Sequence, residues 1–485
     1  MGLADELMTR LKRRFEERLL ALDSKMRKAR SPRAFHDAEK ELHQLALELA
    51  DEVTTGAIHA RLADRDLGLA SVAAARAHGE GRGVKLLSGG IKETSVRLHG
   101  GTLIKVRARY LRAKPTGHRA TRGKVGSGLY PELEELGIRH QATSALRLRV
   151  AHAVCEATSV SSARDLLQQS GLTIGHGVAL RLTYTVSEAA LRGRKEAMET
   201  STHQPSGPFA GKHVVACIDG GRLCVRKSLV GRPKKGGRRK FRKDWREPKV
   251  LTLYVIDPTT GRRDKTIRSV IDATLGDATQ AFAILLHHMQ RMGVADAEHV
   301  TFAADGGRWI WSHLPSLWSA LGIPKARRTE VLDFFHAIER VYDFAQSRVG
   351  WSEKKAARWA QTQKRRLKRG HVEKVIAAIE EHLTAKESRR SVVGYWERHR
   401  ERMRYASFKK AGRPCGSGAV ESAVRQVVNL RMKSASVCWR EDHAEGVLHL
   451  RAYSKAKRWD ELEECVLRTD RWLPKKPRAK KGKKP

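Results

Sequence analysis

Three acidic residues stand where a shared pair of metal ions would need carboxylates. Asp219 closes the apolar run 213–218 and is followed by Gly220 and Gly221. Asp305 closes a second run, 299–304, and is followed by Gly306 and Gly307. Glu421 lies in Gly416-Ser417-Gly418-Ala419-Val420-Glu421-Ser422, which reads as the opening turn of a helix. Cleaving a phosphodiester needs an oxygen nucleophile near neutral pH and a stabilised leaving oxygen, and two Mg2+ ions about 3.5–4 Å apart supply both. Mg2+ prefers oxygen ligands and keeps several waters, so a few carboxylates suffice, and Mn2+ can substitute. Glycines beside the acids relieve the turn and let a backbone come close. A single Asp before Gly at a strand end is most often a turn residue. Two in matching places shift the balance towards a site. Glu421 alone would carry little weight, since an acid near a helix start also suits the helix dipole. Asp257, Asp272 and Asp277 read as turn, loop or cap acids, and Asp333 reads as lying inside a strand. His336 and Glu339 follow one and two helical steps on. His336 is either an auxiliary that orients a phosphate or metal-held water, or a satisfied helix-start histidine.

Such acids need rigid elements to carry them. Between 206 and 340 the apolar periodicity gives strands at 213–218, 250–256 and 266–270, a helix at 277–292, a strand at 299–304, a helix near 309–321 and a strand at 330–335. That order predicts an α/β core of the RNase H-like kind, with its first and fourth strands adjacent and Asp219 beside Asp305. A charged, helical insertion follows at 341–412, with Trp351, Trp359, Tyr395 and Trp396 spread through it, and 413–465 carries the last part of the core with Glu421. The N-terminal region, 1–128, reads as helices over about 70 residues, then a β-hairpin (94–98 with 102–110) and a basic linker. The helices suit a plain hairpin better than a dimerising or DNA-contacting arm. Residues 129–205 read as helical, with a helix-turn-helix outline: helix 162–170, turn 171–173, helix 174–184, presenting His176 and Arg181. A basic tail, 466–485, reads as unpacked.

Composition says what such a site would act on. The 485 residues hold 95 Lys+Arg against 53 Asp+Glu, a formal net charge of +42 with pI near 10.5. A surplus of that size favours a polyanion, because each phosphate contact releases counterions. Nine of the seventeen residues from 227 to 243 are Lys or Arg. Lys234, Lys235, Arg238, Arg239 and Lys240 are therefore candidates to follow a DNA backbone, against the plainer reading of a solvated loop. Arg431 and Lys433, beyond Glu421 on the same helix, are further phosphate candidates. Trp309 and Trp311 suit core packing better than base stacking. The six cysteines include no CxxC pair, which predicts a reducing, cytoplasmic setting and neither a disulfide framework nor a zinc ribbon. Nothing resembles a secretory signal or a membrane span.

The ordered motifs Ile218-Asp219-Gly220-Gly221, Trp245-Arg246-Glu247-Pro248-Lys249, 304–310, 332–339, 416–421, 427–433 with Trp439, and 448–459 resemble the DDE transposases of bacterial insertion sequences, specifically the ISKra-type group. The likeness covers roughly 212–459 and is weaker before it. It implies that Asp219, Asp305 and Glu421 form a catalytic triad holding two Mg2+ ions. The enzyme would nick double-stranded DNA at terminal inverted repeats, and the freed 3′-OH would attack target DNA. The likeness also implies DNA-end contacts by the insertion, a homodimer or higher oligomer on DNA, and a bacterial, nucleoid-associated location. Relatives commonly carry a cysteine-bearing knuckle, but 105–124 holds no Cys, so no zinc is expected. Two other readings are a structure-selective nuclease on the same fold and a non-catalytic DNA-binding regulator derived from a transposase.

Overall fold

The strand that ends in Asp219 is apolar along its whole length because it lies in the middle of a sheet with both faces covered. In the computed structural model, which describes residues 3–115, 128–228, 241–384, 388–433 and 437–471, the chain divides into two units. One comprises 1–189 with 463–485, the other 190–462.

In the first unit the helices Leu3–Arg27 and Pro32–Ala63 form an antiparallel hairpin laced by Arg14–Glu52, Arg18–Glu48 and Lys25–Glu41 pairs. Helix Arg65–Glu80 follows, then strands β1 (Val84–Arg97) and β2 (Leu103–Pro115), longer than their sequence signal but turning at the expected Gly100-Gly101. Buried Asp51 accepts from the backbone N–H groups of Gly100 (2.9 Å) and Thr102 (3.0 Å), tying the helical hairpin to the β-turn. The helix-turn-helix outline is present as Val160–Gln169 and His176–Glu199, the second helix running on past the unit boundary. Leu167, Leu172, Ala179 and Leu182 fill the core between the two helices, and Gly171 makes the turn at φ 81. His176 and Arg181 are exposed on the second helix. The basic tail starts later than expected. Helix Trp459–Thr469 continues through 466–469, and Asp470 pairs with Arg139 and Arg147, both buried. An acid held by two arginines keeps that segment folded, and only 472–485 lies outside the described residues.

The second unit is mixed α/β. Strands β3 (His213–Gly220), β6 (Lys249–Ile256), β7 (Val270–Thr274), β8 (His299–Ala304) and β9 (Arg328–Leu332) form one sheet in the order β7-β6-β3-β8-β9. β6 runs antiparallel to both neighbours, while β3, β8 and β9 are parallel. The first and fourth of these five strands are thus adjacent. Every residue of β8 and all of 214–218 are buried, as expected for central strands that read as continuous apolar runs. Between β3 and β6 lies a hairpin that the sequence reading missed, β4 (Leu223–Ser228) with β5 (Phe241–Arg246). Its Lys and Arg content disguised a buried start, Leu223, Cys224 and Val225. Among the described residues, 341–412 is helical as expected, and its Trp351, Trp359 and His382 pack on one another.

Two strand assignments need correction. The third core strand is Val270–Thr274, not 266–270, because Asp264 takes the Thr266 N–H into a local turn (2.8 Å). Asp272, read as a loop acid, is a fully buried residue of that strand. It accepts from Arg194 (3.2 Å) and pairs with His288 (2.9 Å) and His449 (2.8 Å), while Arg194 also pairs with Glu445. The fifth strand stops at Leu332, and Asp333 caps the next helix instead of continuing the strand. No described helix is long and apolar enough to cross a membrane.

The Asp272 network carries a direct consequence. Asp272→Ala leaves Arg194 buried beside two imidazoles with one anionic partner gone, and is expected to destabilise this unit by about 3–5 kcal/mol, read by denaturant unfolding. A loss under about 1 kcal/mol would show that the network is not held together by this charge.

Candidate active site

Register brings the two aspartates together. β3 and β8 pair in parallel from His213 with His299 to Cys217 with Ala303, and two residues further along the same register come Asp219 and Asp305. Each folds back on its own turn: Asp219 Oδ1 accepts from Gly220 N–H (2.6 Å) and Asp305 Oδ1 from Gly307 N–H (2.9 Å). The glycines do what small residues are needed for. A Cβ on Gly220 would lie 2.2 Å from Glu247 Oε1, and one on Gly221 about 3.4 Å from Val424 and Val428. Gly221 therefore lets the Glu421 helix, Gly418–Val424, close on the end of β3.

What holds that helix there is Asp333. Its Oδ1 accepts from the N–H groups of Phe335 (2.7 Å) and His336 (3.1 Å), capping helix Phe334–Gln346. Its Oδ2 accepts from the N–H and hydroxyl of Ser417 (2.8 Å for the hydroxyl), the residue before the Glu421 helix. Phe334 N–H bonds Cys415 O (3.0 Å), and a Cβ on Gly416 would press on Asp333 Oδ2 at 3.0 Å. One carboxylate thus joins the tip of β9, the start of one helix and the approach to another. Beyond Val424 the helix widens into a π turn, Arg425–Asn429, and buried Arg451 bonds the carbonyls of Gln426 and Val427. Such turns often mark functional sites.

The charges feel one another. The Asp219 carboxyl is raised to about 6, chiefly by burial with help from the negative charges of Asp305 and Glu421, against the pull of the Gly220 N–H and of His336. His336 is raised to about 9 by Asp333, with Asp305 and Glu339 adding to the effect. Its Nδ1 lies 3.4 Å from Asp333 Oδ1, within ion-pair reach. Asp333 itself is held well below the usual carboxylate range, its burial outweighed by His336 and the Ser417 donors.

Among the described residues, Asp333, His336 and Glu421 are the His, Cys, Asp or Glu group whose ligand atoms all fall within 4.8 Å of one another. The chemistry of this set nevertheless disfavours it as a cation cage. Four protein donors already occupy both Asp333 oxygens, and a cation would have to displace the proton that Asp333 favours on His336. Glu421 is the exposed member with oxygens to spare. The expected set, Asp219, Asp305 and Glu421, from two strand tips and a helix, does not meet that distance among the described residues, although Asp219 feels the charge of both other acids.

The other expected residues divide. Lys433 is exposed, but Arg431 is buried with its guanidinium 5.2 Å from the Trp439 ring centroid, so it does not present itself to a phosphate. Lys234, Lys235, Arg238, Arg239 and Lys240 lie outside the described residues. Trp311 is a core residue, its Nε1–H donating to Asp305 O (2.7 Å), and Trp309 packs edge-on against Phe282. Asp277 caps a helix and Asp257 closes a turn, as expected. Two cysteines that spacing did not pair, Cys224 and Cys438, have their sulfurs 3.1 Å apart. Sequence reasoning also missed Asp333 as a joint, although a helix cap three residues before His336 was a usable signal. No family model, curated protein or solved structure matches the chain.

Asp333→Asn keeps the shape but turns one acceptor into a donor facing N–H or O–H groups, and should cost about 1.5–3 kcal/mol in denaturant unfolding. The raised His336 contributes stability that is complete below about pH 6.5 and disappears as pH climbs through about 9. Wild-type stability should therefore fall between pH 7 and 9, and the variant should be flatter over that window. Parallel pH profiles would show that Asp333 is not the partner.

Proposed function

We propose that the chain is a metal-dependent DNA transposase with an RNase H-like core, in which Asp219, Asp305 and Glu421 are the catalytic carboxylates. The observation that carries this reading is the parallel pairing of β3 with β8, which aligns Asp219 with Asp305, together with the charge that Asp219 feels from both Asp305 and Glu421. Three acids held close enough to raise one of them are costly unless a cation joins them. Mg2+ held by these oxygens would supply an oxygen nucleophile at neutral pH and take up charge on the leaving oxygen. The chain's own part is to aim the carboxylates from rigid strand ends, to hold Glu421 in place through Asp333 and Ser417, and to keep a fixed positive charge at His336.

A DNA partner is supported by charge that no acid offsets. Besides the +42 balance, a groove of about 790 Å3 in the helical insertion is lined by Arg365, Lys368, Arg369, Ala406, Lys409 and Lys410, with no carboxylate among them. The segment carrying Lys409 and Lys410 runs directly into 413–417 and the Glu421 helix. In this reading the exposed Arg181 and Lys433 add phosphate contacts, the helix-turn-helix reads the element's ends, and the protein acts as a dimer or larger oligomer at the bacterial nucleoid.

The test is a strand-transfer assay with a labelled duplex carrying a free 3′-OH and Mg2+. Wild type should join the labelled end to target DNA. Asp305→Asn should lose at least about 1000-fold in rate while still binding DNA. Cleaved ends without joined product would replace transposase with nuclease. Bound DNA with neither product would leave a regulator, and unchanged activity in Asp305→Asn would remove the carboxylate assignment.

A further inference from the structure

Tyr395, from the helical insertion, is 7% exposed, yet its hydroxyl has no hydrogen-bond partner among the described residues. A buried hydroxyl without a partner carries an unreturned desolvation cost, so it needs an explanation. Its position supplies one. The hydroxyl and ring edge lie against Gly306, the residue after Asp305, where a Cβ would stand 2.6 Å from both. The Arg340 guanidinium lies over the ring, 4.0 Å from its centroid, and as a donor it can meet only the lone pairs of the oxygen, leaving the O–H proton without an acceptor. Arg340 is exposed, and it follows His336 by four residues on helix Phe334–Gln346, so both cations share one helix face. A neutral donor, a guanidinium and an imidazole, from Tyr395, Arg340 and His336, are therefore near Asp305 on the side of the insertion. Arg340 is a donor only, so it cannot answer the O–H.

We propose that Tyr395, Arg340 and His336 form a subsite for one phosphate of the DNA backbone beside Asp305, with the Tyr395 hydroxyl donating to a non-bridging oxygen. The inference rests on the reading of the neighbouring carboxylates as a phosphodiester site and deepens it by naming the groups that take the phosphate. The chemistry divides cleanly: the carboxylates suit cations and these three suit the anion, so substrate phosphate and metal ions can lie side by side without competing for ligands. Tyr395 is also what a helical insertion can add to a bare α/β core: a donor delivered over the glycine that follows a strand-end acid.

The experiment uses the full chain labelled with 3-fluorotyrosine. The protein has eight tyrosines, so the Tyr395 fluorine resonance can be assigned by its loss in Tyr395→Phe. A short random-sequence DNA duplex is added with calcium as the divalent ion, and binding is followed separately by anisotropy. The Tyr395 resonance should shift in step with binding, and the shift should be weakened in Arg340→Gln. Tyr395→Phe should melt no lower than wild type, since the lost hydroxyl had no partner, and should bind DNA more weakly than wild type, by up to the worth of one hydrogen bond to a charged group. Under Mg2+ its single-turnover nicking should slow by about 10–100-fold, the worth of one hydrogen bond to a charged group. A resonance that stays put while DNA is bound, with normal nicking by Tyr395→Phe, overturns the subsite and leaves the carboxylate reading standing. A resonance that shifts in a protein that never nicks DNA keeps the phosphate subsite and sinks the catalytic reading. Failure to bind DNA at all removes both.

Discussion

The fold must hold like charges together at one end of a sheet without letting the chain relax to separate them. Asp219 and Asp305 cannot move apart, because each ends a buried strand and the two strands are hydrogen-bonded neighbours. Glu421 is less constrained by its own helix, whose regular part, Gly418–Val424, is short. Its position depends on the joint at Asp333, where Ser417 and the start of the next helix share one carboxylate. The rest of the site follows from that joint, including the charge on His336 and the close approach that Gly221 permits.

Two aspartates on strands that flank β6 show how differently a buried acid can be treated. Asp272 on β7 is surrounded by Arg194, His288 and His449, and those partners hold it ionised despite complete burial. Asp219 on β3 receives one backbone N–H and, besides the opposing pull of His336, feels Asp305 and Glu421, and burial with these charges raises its carboxyl. The first arrangement stabilises the sheet edge. The second costs stability in the free protein and makes sense where a cation is to be recruited. Asp219 stands out among these carboxylates by its missing partners rather than by its burial.

Much of this was legible in the sequence. The strands that carry Asp219 and Asp305 announce themselves because both faces are buried and the apolar runs are unbroken. The paired glycines after each acid marked the turns. Glu421 was readable as a helix-start acid, but its partner Asp333 was not, because a residue that ends a strand and caps a helix looks like either from periodicity alone. Strand β7 was displaced by four residues because its central Asp272 reads as polar, and only Arg194, His288 and His449, distant in sequence, make it a core residue. The β4–β5 hairpin hid behind its lysines and arginines, which outnumber the buried Leu223, Cys224 and Val225 in its sequence. Arg431 failed as a phosphate candidate for a different reason: the helix face it occupies is covered by Trp439, which lies beyond the end of that helix. Tyr395 was visible only as an aromatic within a helical stretch, since nothing local says that it reaches Gly306.

The central claim is that oxygens from three distant segments serve one divalent-cation site, and Mn2+ binding tests it without any assumption about DNA. Titration of the full chain followed by electron paramagnetic resonance should show tight, low-stoichiometry binding. That binding should be weakened in each of Asp219→Asn, Asp305→Asn and Glu421→Gln, and each variant should remain folded. Binding that survives all three substitutions at wild-type strength, or that fails only when His336 is changed, would contradict the account.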